Sequence, residues 1–291
     1  MEIALFINNK LKIANDINSI NFSSNNECKK RVNEGLKSVV GWLNSKGYNS
    51  VNRIYYGSEF CEKVLPTPNQ VLEVAMTCQD KGLGFTYVTS PLTDYGMEIC
   101  KKTIEMLENS GIPYEVVFND IGLLFWYKIN IGGSTILGRL FDKTSHDGRV
   151  CGDKLIGFYG KNTKDYSVNS NIFSNASKEL FDKFNVCRIE LDLPNLPLNI
   201  DNIDSDLSIY LPFSFLTTGR RCMIGMVNNE SSVEKCSKLC KKYTQLMTKP
   251  LNTLNKKKNT MLRKGNTIYY LPEEFSLSIE CYNRVILELQ I

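Results

Sequence analysis

The sequence predicts an α/β protein, a (β/α) TIM-like barrel formed by a single domain over residues 1–291. Short β-rich runs alternate with amphipathic helical segments, which is the pattern of βαβ units. A hydrophobic content of 42% in 291 residues can bury one large core, and barrels of roughly 250 residues commonly form one domain. The pattern leaves open an incomplete or distorted barrel with a C-terminal cysteine-bearing segment.

The first half of the chain contains four predicted strands and three predicted helices. The strands are Ile3–Ile7, Val51–Gly57, Phe85–Thr89 and Tyr114–Phe118, and the helices are Val32–Lys46, Asn69–Lys81 and Asp94–Ser110. The third helix begins at an Asp or Thr cap and stops at Gly111, shortly before Pro113. Asp120 follows the fourth strand, where a barrel places its functional loops, although Asp120 could equally cap the next helix.

The second half is less regular. Strands are predicted at Ile136–Leu140 and Val186–Leu191, and alternation in the second places Arg188, Glu190 and Asp192 on one face, which could point into or out of the barrel. The Asn- and Ser-rich stretch 168–177 is predicted to be a loop. The segments Gly265–Tyr270 and Val285–Ile291 predict two further strands, or a strand and a helix, that could complete the barrel.

Charge and the N-terminus bear on partners and location. The chain has 35 Lys and Arg against 31 Asp and Glu, a formal charge of +4 that is too small to indicate a dedicated nucleic-acid binder. The run Lys256–Lys258 reads as a solvated loop, with a phosphate or RNA contact as the alternative. Because no signal-peptide pattern and no run of roughly 18 apolar residues is visible, we expect a cytoplasmic protein without a membrane partner.

The single histidine, His146, excludes several kinds of site by counting. One imidazole cannot form a three-histidine zinc site, a two-histidine iron site or an HExxH protease. A Ser-His or Cys-His catalytic site would have to use His146, yet no nucleophile elbow accompanies it. We therefore interpret His146 as a hydrogen-bonded loop residue.

The ten cysteines raise the question of a metal centre, because thiols in a reducing cytosol are buried or bind metals more often than they form disulfides. Cys222, Cys236 and Cys240 follow the pattern C-x13-C-x3-C, and a helical C-x3-C pair could direct two thiols at one centre. Basic neighbours would lower thiol pKa values and offset the charge of a cluster. Spacing alone leaves solvated thiols and a structural zinc site as alternatives, whereas Tyr243 disfavours the C-x3-C-x2-C motif of radical-SAM enzymes.

Several local segments resemble one family. Ile54–Cys61, a strand followed by a cysteine, is similar to a ligand-bearing segment of the UbiU/UbiV iron–sulfur proteins, a group within the collagenase-like peptidase family of unknown catalytic type (the PrtC/YhbU/YhbV superfamily). Val117–Gly122 and Leu137–Leu140 resemble strand ends of that family. Thr218–Cys222 and Cys236–Tyr243 resemble its remaining ligand segments. The resemblance is spread over most of the chain, although the chain is short for the family.

The resemblance implies a [4Fe–4S] cluster held by Cys61, Cys222, Cys236 and Cys240. It also implies oxygen-independent hydroxylation or a related modification of a small molecule, with a prephenate-like oxygen donor and a second family member as heterodimer partner. The alternatives are a non-catalytic iron–sulfur scaffold or electron-transfer subunit, a peptidase, and an RNA-modifying protein.

Four further residues are candidates for chemistry at this site. Asp120 and Arg139 are candidate catalytic residues, and Arg139 could also grip a carboxylate-rich donor. Arg220 and Arg221 are candidate substrate-binding residues, because a guanidinium forms two-point hydrogen bonds with carboxylates. A peptidase activity is disfavoured, since no nucleophile and base pair is visible.

Overall fold

The fold is taken from a computed structural model that describes residues 1–8, 13–20, 27–143, 170–193, 205–227, 236–247, 260–271 and 281–289. His146 and the run Lys256–Lys258 lie outside the described residues, so their interpretations stay predictions.

A closed barrel of eight parallel strands forms the body of the protein, which confirms the predicted fold class. The strands are β1 (Glu2–Ile7), β2 (Arg53–Gly57), β3 (Gly84–Val88), β4 (Glu115–Phe118), β5 (Thr135–Leu137), β6 (Val186–Leu191), β7 (Asp206–Leu211) and β12 (Arg284–Glu288). From β1 to β7 each strand pairs with the next along the chain, and β12 closes the ring between β7 and β1.

Helices follow the first five barrel strands among the described residues. They are α1 (Glu27–Ser45), α2 (Pro68–Asp80), α3 (Asp94–Ser110), α4 (Ile121–Asn130) and α5 (Asn175–Phe184). The bounds of α3 match the prediction, and Gly111 ends α3 in the left-handed conformation. The prediction of a loop through residue 177 was wrong for its last residues. The Ser174 hydroxyl accepts a hydrogen bond from the Ser177 N–H and caps α5, so the polar residues there begin a helix.

A second, smaller sheet is inserted between β7 and β12. It contains β8 (Ser214–Thr218), β9 (Gln245–Met247), β10 (Thr260–Lys264) and β11 (Thr267–Leu271), in the antiparallel order β8-β11-β10-β9. A short helix, α6 (Met223–Val227), follows β8. The segment Gly265–Tyr270 thus lies in this sheet, so the prediction that it helps to complete the barrel was wrong. The last predicted segment, Val285–Ile291, overlaps β12, which does complete the barrel. The cysteine-bearing segment is an insertion before the last barrel strand.

The barrel interior is filled by its own buried side chains, separate from the apolar layer between strands and helices. These are Ala4, Phe6, Tyr55, Val88, Val117, Ile136, Tyr210 and Ile286. The Tyr210 hydroxyl donates to Glu190 Oε2 at 2.6 Å, so Glu190 and its face-mate Asp192 point inward. Ile189 and Leu191 belong to the outer apolar layer. The face of β6 that carries Arg188, Glu190 and Asp192 therefore points into the barrel.

Ion pairs close the N-terminal end of the barrel. Arg284 donates to the carboxylates of Glu2 and Glu115, and to the Tyr55 hydroxyl at 2.6 Å. Arg53 also donates to Glu2, at 2.8 Å. These groups neutralise one another at the barrel end that serves stability, and leave the C-terminal end for function.

Candidate metal centre

Cys61 lies just beyond the C-terminal end of β2, where a barrel places its functional residues. The Ser58 hydroxyl donates to the carbonyl oxygen of Cys61 at 2.8 Å and fixes the loop. The backbone N–H of Lys63 donates to the Cys61 sulfur, which favours the thiolate. The thiol is half-buried, in contrast to the buried thiols of Cys28, Cys78 and Cys100.

Cys222 comes from the loop that links β8 to α6. Its sulfur accepts a hydrogen bond from the backbone N–H of Gly225 at 3.4 Å, in the first turn of the helix. Such N–H groups at a helix start have no partner within the helix and therefore stabilise a nearby negative sulfur. The second predicted ligand, like Cys61, is held by a backbone donor.

Cys236 and Cys240 lie in the segment that precedes β9. Cys240 lies in a 3₁₀ turn, Leu239–Lys241, preceded by Lys238 in the left-handed conformation with φ 58°. Cys236 precedes the turn in irregular backbone, so the C-x3-C pair is not carried by an α-helix. A tight turn still allows both thiols to approach one centre.

The four thiols predicted as ligands are within electrostatic range of one another. Burial and, to a smaller extent, the negative charges of Cys240, Cys236 and Cys222 together raise the pKa of Cys61 to about 11. Burial also raises the pKa of Cys240, followed by the charges of Cys222 and Cys236, while Lys264 lowers it. Groups influence one another in this way only at short range. The structure thus brings thiols from three separate segments of the chain within electrostatic range of one another.

Most of the other described cysteines differ in their surroundings. Cys28, Cys78 and Cys100 are buried, and burial raises the pKa values of Cys78 and Cys100 to about 12, which makes them inert core thiols. Cys187 is exposed at the start of β6, at the opposite end of the barrel. The prediction that Cys78 and Cys100 fill the core agrees with their burial.

The geometry of the four thiols bears on which metal they could hold. Among the described residues, no three His, Cys, Asp or Glu side chains are gathered closely enough to hold a single metal ion as they stand. A four-iron cluster is larger than one ion, and its cysteine ligands bind different iron atoms. Four soft thiols within electrostatic range of one another, with backbone N–H donors to two of the sulfurs, fit a cluster in ligand type and number.

A fully buried group of charges fills the C-terminal mouth of the barrel. Arg139, just after β5, donates to Glu59 at 2.8 Å from both Nε and Nη2, to Asp192 at 2.6 Å and to Glu288 at 3.0 Å. Burial raises the pKa of Glu288 to about 7, although Arg139 opposes the shift. We call Arg139, Glu59, Asp192 and Glu288 the buried quartet. Its three carboxylates outnumber its one cation.

Aromatic rings separate the buried quartet from solvent. The Arg139 guanidinium lies 3.9 Å from the centre of the Tyr210 ring and 5.2 Å from that of Phe60. Phe60 packs against Phe215 of β8 and Tyr269 of β11, with ring centres 5.2 and 5.7 Å away. The small sheet therefore covers the mouth of the barrel, and its loops supply the cysteines beside Cys61.

Asp120 and Arg139, the two candidate catalytic residues, are both held by hydrogen bonds within the fold. Asp120 caps α4, with Oδ1 accepting from the N–H groups of Gly122 and Leu123 and Oδ2 accepting from Leu92. Of the two roles left open for Asp120, capping is the one that the contacts display, and its catalytic role stays a prediction. Every donor group of Arg139 is engaged, by the three carboxylates of the buried quartet and by the Phe213 carbonyl. A substrate carboxylate could therefore reach Arg139 only by displacing one of these partners.

Arg220 and Arg221 directly precede Cys222, and both are exposed. They lie on the loop that leads from β8 to Cys222, so both guanidinium groups are available to an anion that approaches from solvent. Their position next to Cys222 follows from the sequence, and their substrate-binding role stays a prediction.

A cleft of about 430 Å³ opens at the N-terminal end of the barrel, away from the cysteines. Its lining includes Tyr114, whose hydroxyl donates to Glu108 at 2.7 Å, together with Tyr127 and Cys187. Because barrel chemistry is located at the C-terminal end of the strands, this cleft is not part of the candidate site.

Comparison with known proteins finds no matching family model, no matching curated protein and no matching solved structure. Within the described residues, no helix has both the length and the apolar character that a membrane crossing needs.

Proposed function

We propose that this chain is an iron–sulfur protein in which Cys61, Cys222, Cys236 and Cys240 bind a [4Fe–4S] cluster. The observation that supports the proposal is the mutual electrostatic influence of these thiols, which come from loops beside the barrel mouth. Surface cysteines without a shared role, from distant parts of the chain, would not be expected to lie near one another. Four thiolates close together repel one another, and positively charged iron removes that repulsion.

We further propose that the cluster serves an oxygen-independent hydroxylation or a related modification of a small molecule, as the resemblance to the UbiU/UbiV group implies. The cluster would supply electron transfer or a binding position for substrate. Arg220 and Arg221 are exposed next to Cys222 and would bind an anionic, prephenate-like donor. A second family member would be the partner if the chain is one subunit of a heterodimer.

One observation favours a second candidate, a scaffold or electron-transfer subunit. The mouth of the barrel, where substrates usually bind, is filled by the buried quartet and covered by Phe60, Phe215 and Tyr269. A cluster beside a filled mouth can pass electrons to a partner without a substrate pocket of its own.

Anaerobic purification with measurement of iron, acid-labile sulfide and visible absorption tests the cluster. We expect about four irons and four sulfides per chain, with broad visible absorption, and loss of all three in Cys236→Ala/Cys240→Ala. Cys187→Ser, at the exposed thiol remote from the site, is the matched control and should keep the cluster. Zinc in place of iron, or an unchanged iron content in the double variant, would contradict the proposal.

The two functional candidates differ in what the loaded protein does alone. Conversion of an anionic donor that is lost in Arg220→Ala/Arg221→Ala, with iron retained, supports the enzyme. Reversible reduction of the cluster, with no conversion unless a partner is added, supports the electron-transfer subunit.

A further inference from the structure

The turn between β10 and β11 reaches into the candidate metal centre. Gly265 begins this turn with φ 61°. A Cβ at Gly265 would lie 3.2 Å from Cys240 Cβ and 3.6 Å from its sulfur, so the turn packs directly against one of the four thiols. Only a residue without a side chain combines this backbone conformation with so close an approach.

The next residue, Asn266, joins two other ligand segments. Its side-chain Nδ2 donates to the carbonyl oxygen of Phe60 at 2.8 Å and to that of Gly219 at 2.7 Å. Phe60 directly precedes Cys61, and Gly219 lies on the loop that leads to Cys222. Both hydrogens of one amide are therefore used to hold together a barrel loop and a loop of the small sheet.

The position of Asn266 is itself fixed. The Gly219 N–H donates back to the Asn266 carbonyl at 3.3 Å, and the Thr267 hydroxyl donates to Asn266 Oδ1 at 3.3 Å. Thr267 shares a further hydrogen bond of 2.9 Å with Thr218, at the end of β8. The amide thus has little freedom to turn away from Phe60 and Gly219.

We propose that Asn266 is a positioning residue that sets the separation of Cys61 and Cys222 and so prepares the metal centre before iron binds. The proposal rests on the proposed function and adds a residue that is not a ligand. Phe60 and Asn266 are 206 positions apart, so this hydrogen bond joins two loops that are distant along the chain. Replacing a residue that orients a metal ligand typically lowers metal affinity or activity by roughly 10- to 100-fold.

The first arm of the test measures retention of iron. Asn266→Ala keeps all four thiols, so we expect a cluster to assemble and then to be lost to a chelator about tenfold faster than from wild type. Asn130→Ala is the matched control, because Asn130 donates one amide hydrogen to the Trp126 carbonyl at 2.7 Å on the exposed side of α4. The control should lose iron at the wild-type rate.

The second arm needs no iron. In metal-free Cys236→Ser/Cys240→Ser protein, a short bismaleimide should cross-link Cys61 to Cys222, identified by mass spectrometry of the peptides. Adding Asn266→Ala should lower the yield several-fold, while a thermal unfolding curve reports whether the fold is kept.

Faster iron loss together with a lower cross-linking yield supports the proposal. An unchanged rate of loss from a loaded variant, or an unchanged yield, overturns it. A wild-type protein without iron would overturn the proposed function instead, and the cross-linking yield would still decide whether Asn266 positions the two thiols.

Discussion

The Arg139 guanidinium and the Glu59 carboxylate form a two-point hydrogen bond, with Nε and Nη2 each 2.8 Å from an oxygen, fully buried at the barrel mouth. The pair joins the end of β5 to the loop that carries Cys61 two residues later. Because the bond is short, planar and shielded from water, it fixes the path of that loop strongly. The loop that carries Cys61 is therefore held by the barrel through Glu59 and by the small sheet through the packing of Phe60 on Phe215 and Tyr269.

Arg139→Gln should destabilise the protein severely. The substitution leaves Glu59, Asp192 and Glu288 buried without their cation, and loss of one partner in a buried ion pair costs about 3–5 kcal/mol. Urea unfolding monitored by circular dichroism would measure the loss. Arg31→Gln is the control, since Arg31 and Glu34 form an ion pair with side chains 54% and 51% exposed, and its removal should cost within about 0.5 kcal/mol. Equal losses in the two variants would contradict the role of the buried quartet.

Glu190→Gln should change how stability depends on pH. Burial raises the pKa of Glu190 from its ordinary value of 4.5 to about 7, although the Tyr210 hydroxyl stabilises its charged form. Between these values the folded state holds a proton that the unfolded state has released, so this residue lowers the free energy of unfolding as pH rises from about 4.5 to about 7. Below that window the residue has no such effect.

The variant lacks this titration, so its stability relative to wild type should rise across the same window, by an amount of the order of 2 kcal/mol. Urea midpoints at pH 5 and pH 8 would measure the difference. Glu98→Gln, at a side chain 74% exposed, should show no such trend. A Glu190→Gln curve parallel to wild type would show that the buried carboxylate is not protonated in the folded state.

Gly57→Ala and Gly41→Ala should change stability in opposite directions. A Cβ at Gly57, where φ is 151°, would lie 2.0 Å from the backbone oxygen of Val88, so β2 and β3 would have to separate. We expect a loss of about 2 kcal/mol or more. Gly41 lies on the exposed side of α1 with nothing near its Cβ position, so alanine should stabilise the helix by about 0.5–1 kcal/mol. Thermal unfolding of both variants tests the pair, and a neutral Gly57→Ala would refute the close approach.

The repeating parts of the fold follow from local sequence. The bounds of α3 were predictable because Asp94 and Gly111 mark its ends, and apolar runs locate the barrel strands. The contacts of Arg139 were not predictable, since its three carboxylate partners lie 53, 80 and 149 positions away along the chain. Only the closed barrel brings them together.

Only part of the candidate site was predictable, because its residues are scattered along the chain. Cys236 and Cys240 are close in sequence, whereas Cys61 was selected through a resemblance, because spacing gives no link between it and the other three. Asn266 carries no local signal at all. Its role depends on the turn between β10 and β11 reaching two loops that belong to different sheets.

Asp120 offers a test that separates capping from acid chemistry. Its Oδ1 accepts hydrogen bonds of 2.9 and 3.1 Å from Gly122 and Leu123 at the start of α4, and its Oδ2 accepts one of 3.0 Å from Leu92. Asp120→Ala loses all three and should destabilise by about 1 kcal/mol or somewhat more. Asp120→Asn keeps an oxygen for the helix and should lose less, because Asn is as good a cap as Asp.

Urea unfolding of the two variants measures the cap, with Asp80→Ala at an exposed position of α2 as a control that should stay within about 0.5 kcal/mol. A residue that only caps makes Asp120→Asn close to wild type in every assay of the loaded protein. A residue that transfers a proton makes Asp120→Asn as inactive as Asp120→Ala despite its better stability, since an amide does not titrate. The order of the two variants in stability, set against their order in activity, therefore decides which role Asp120 has.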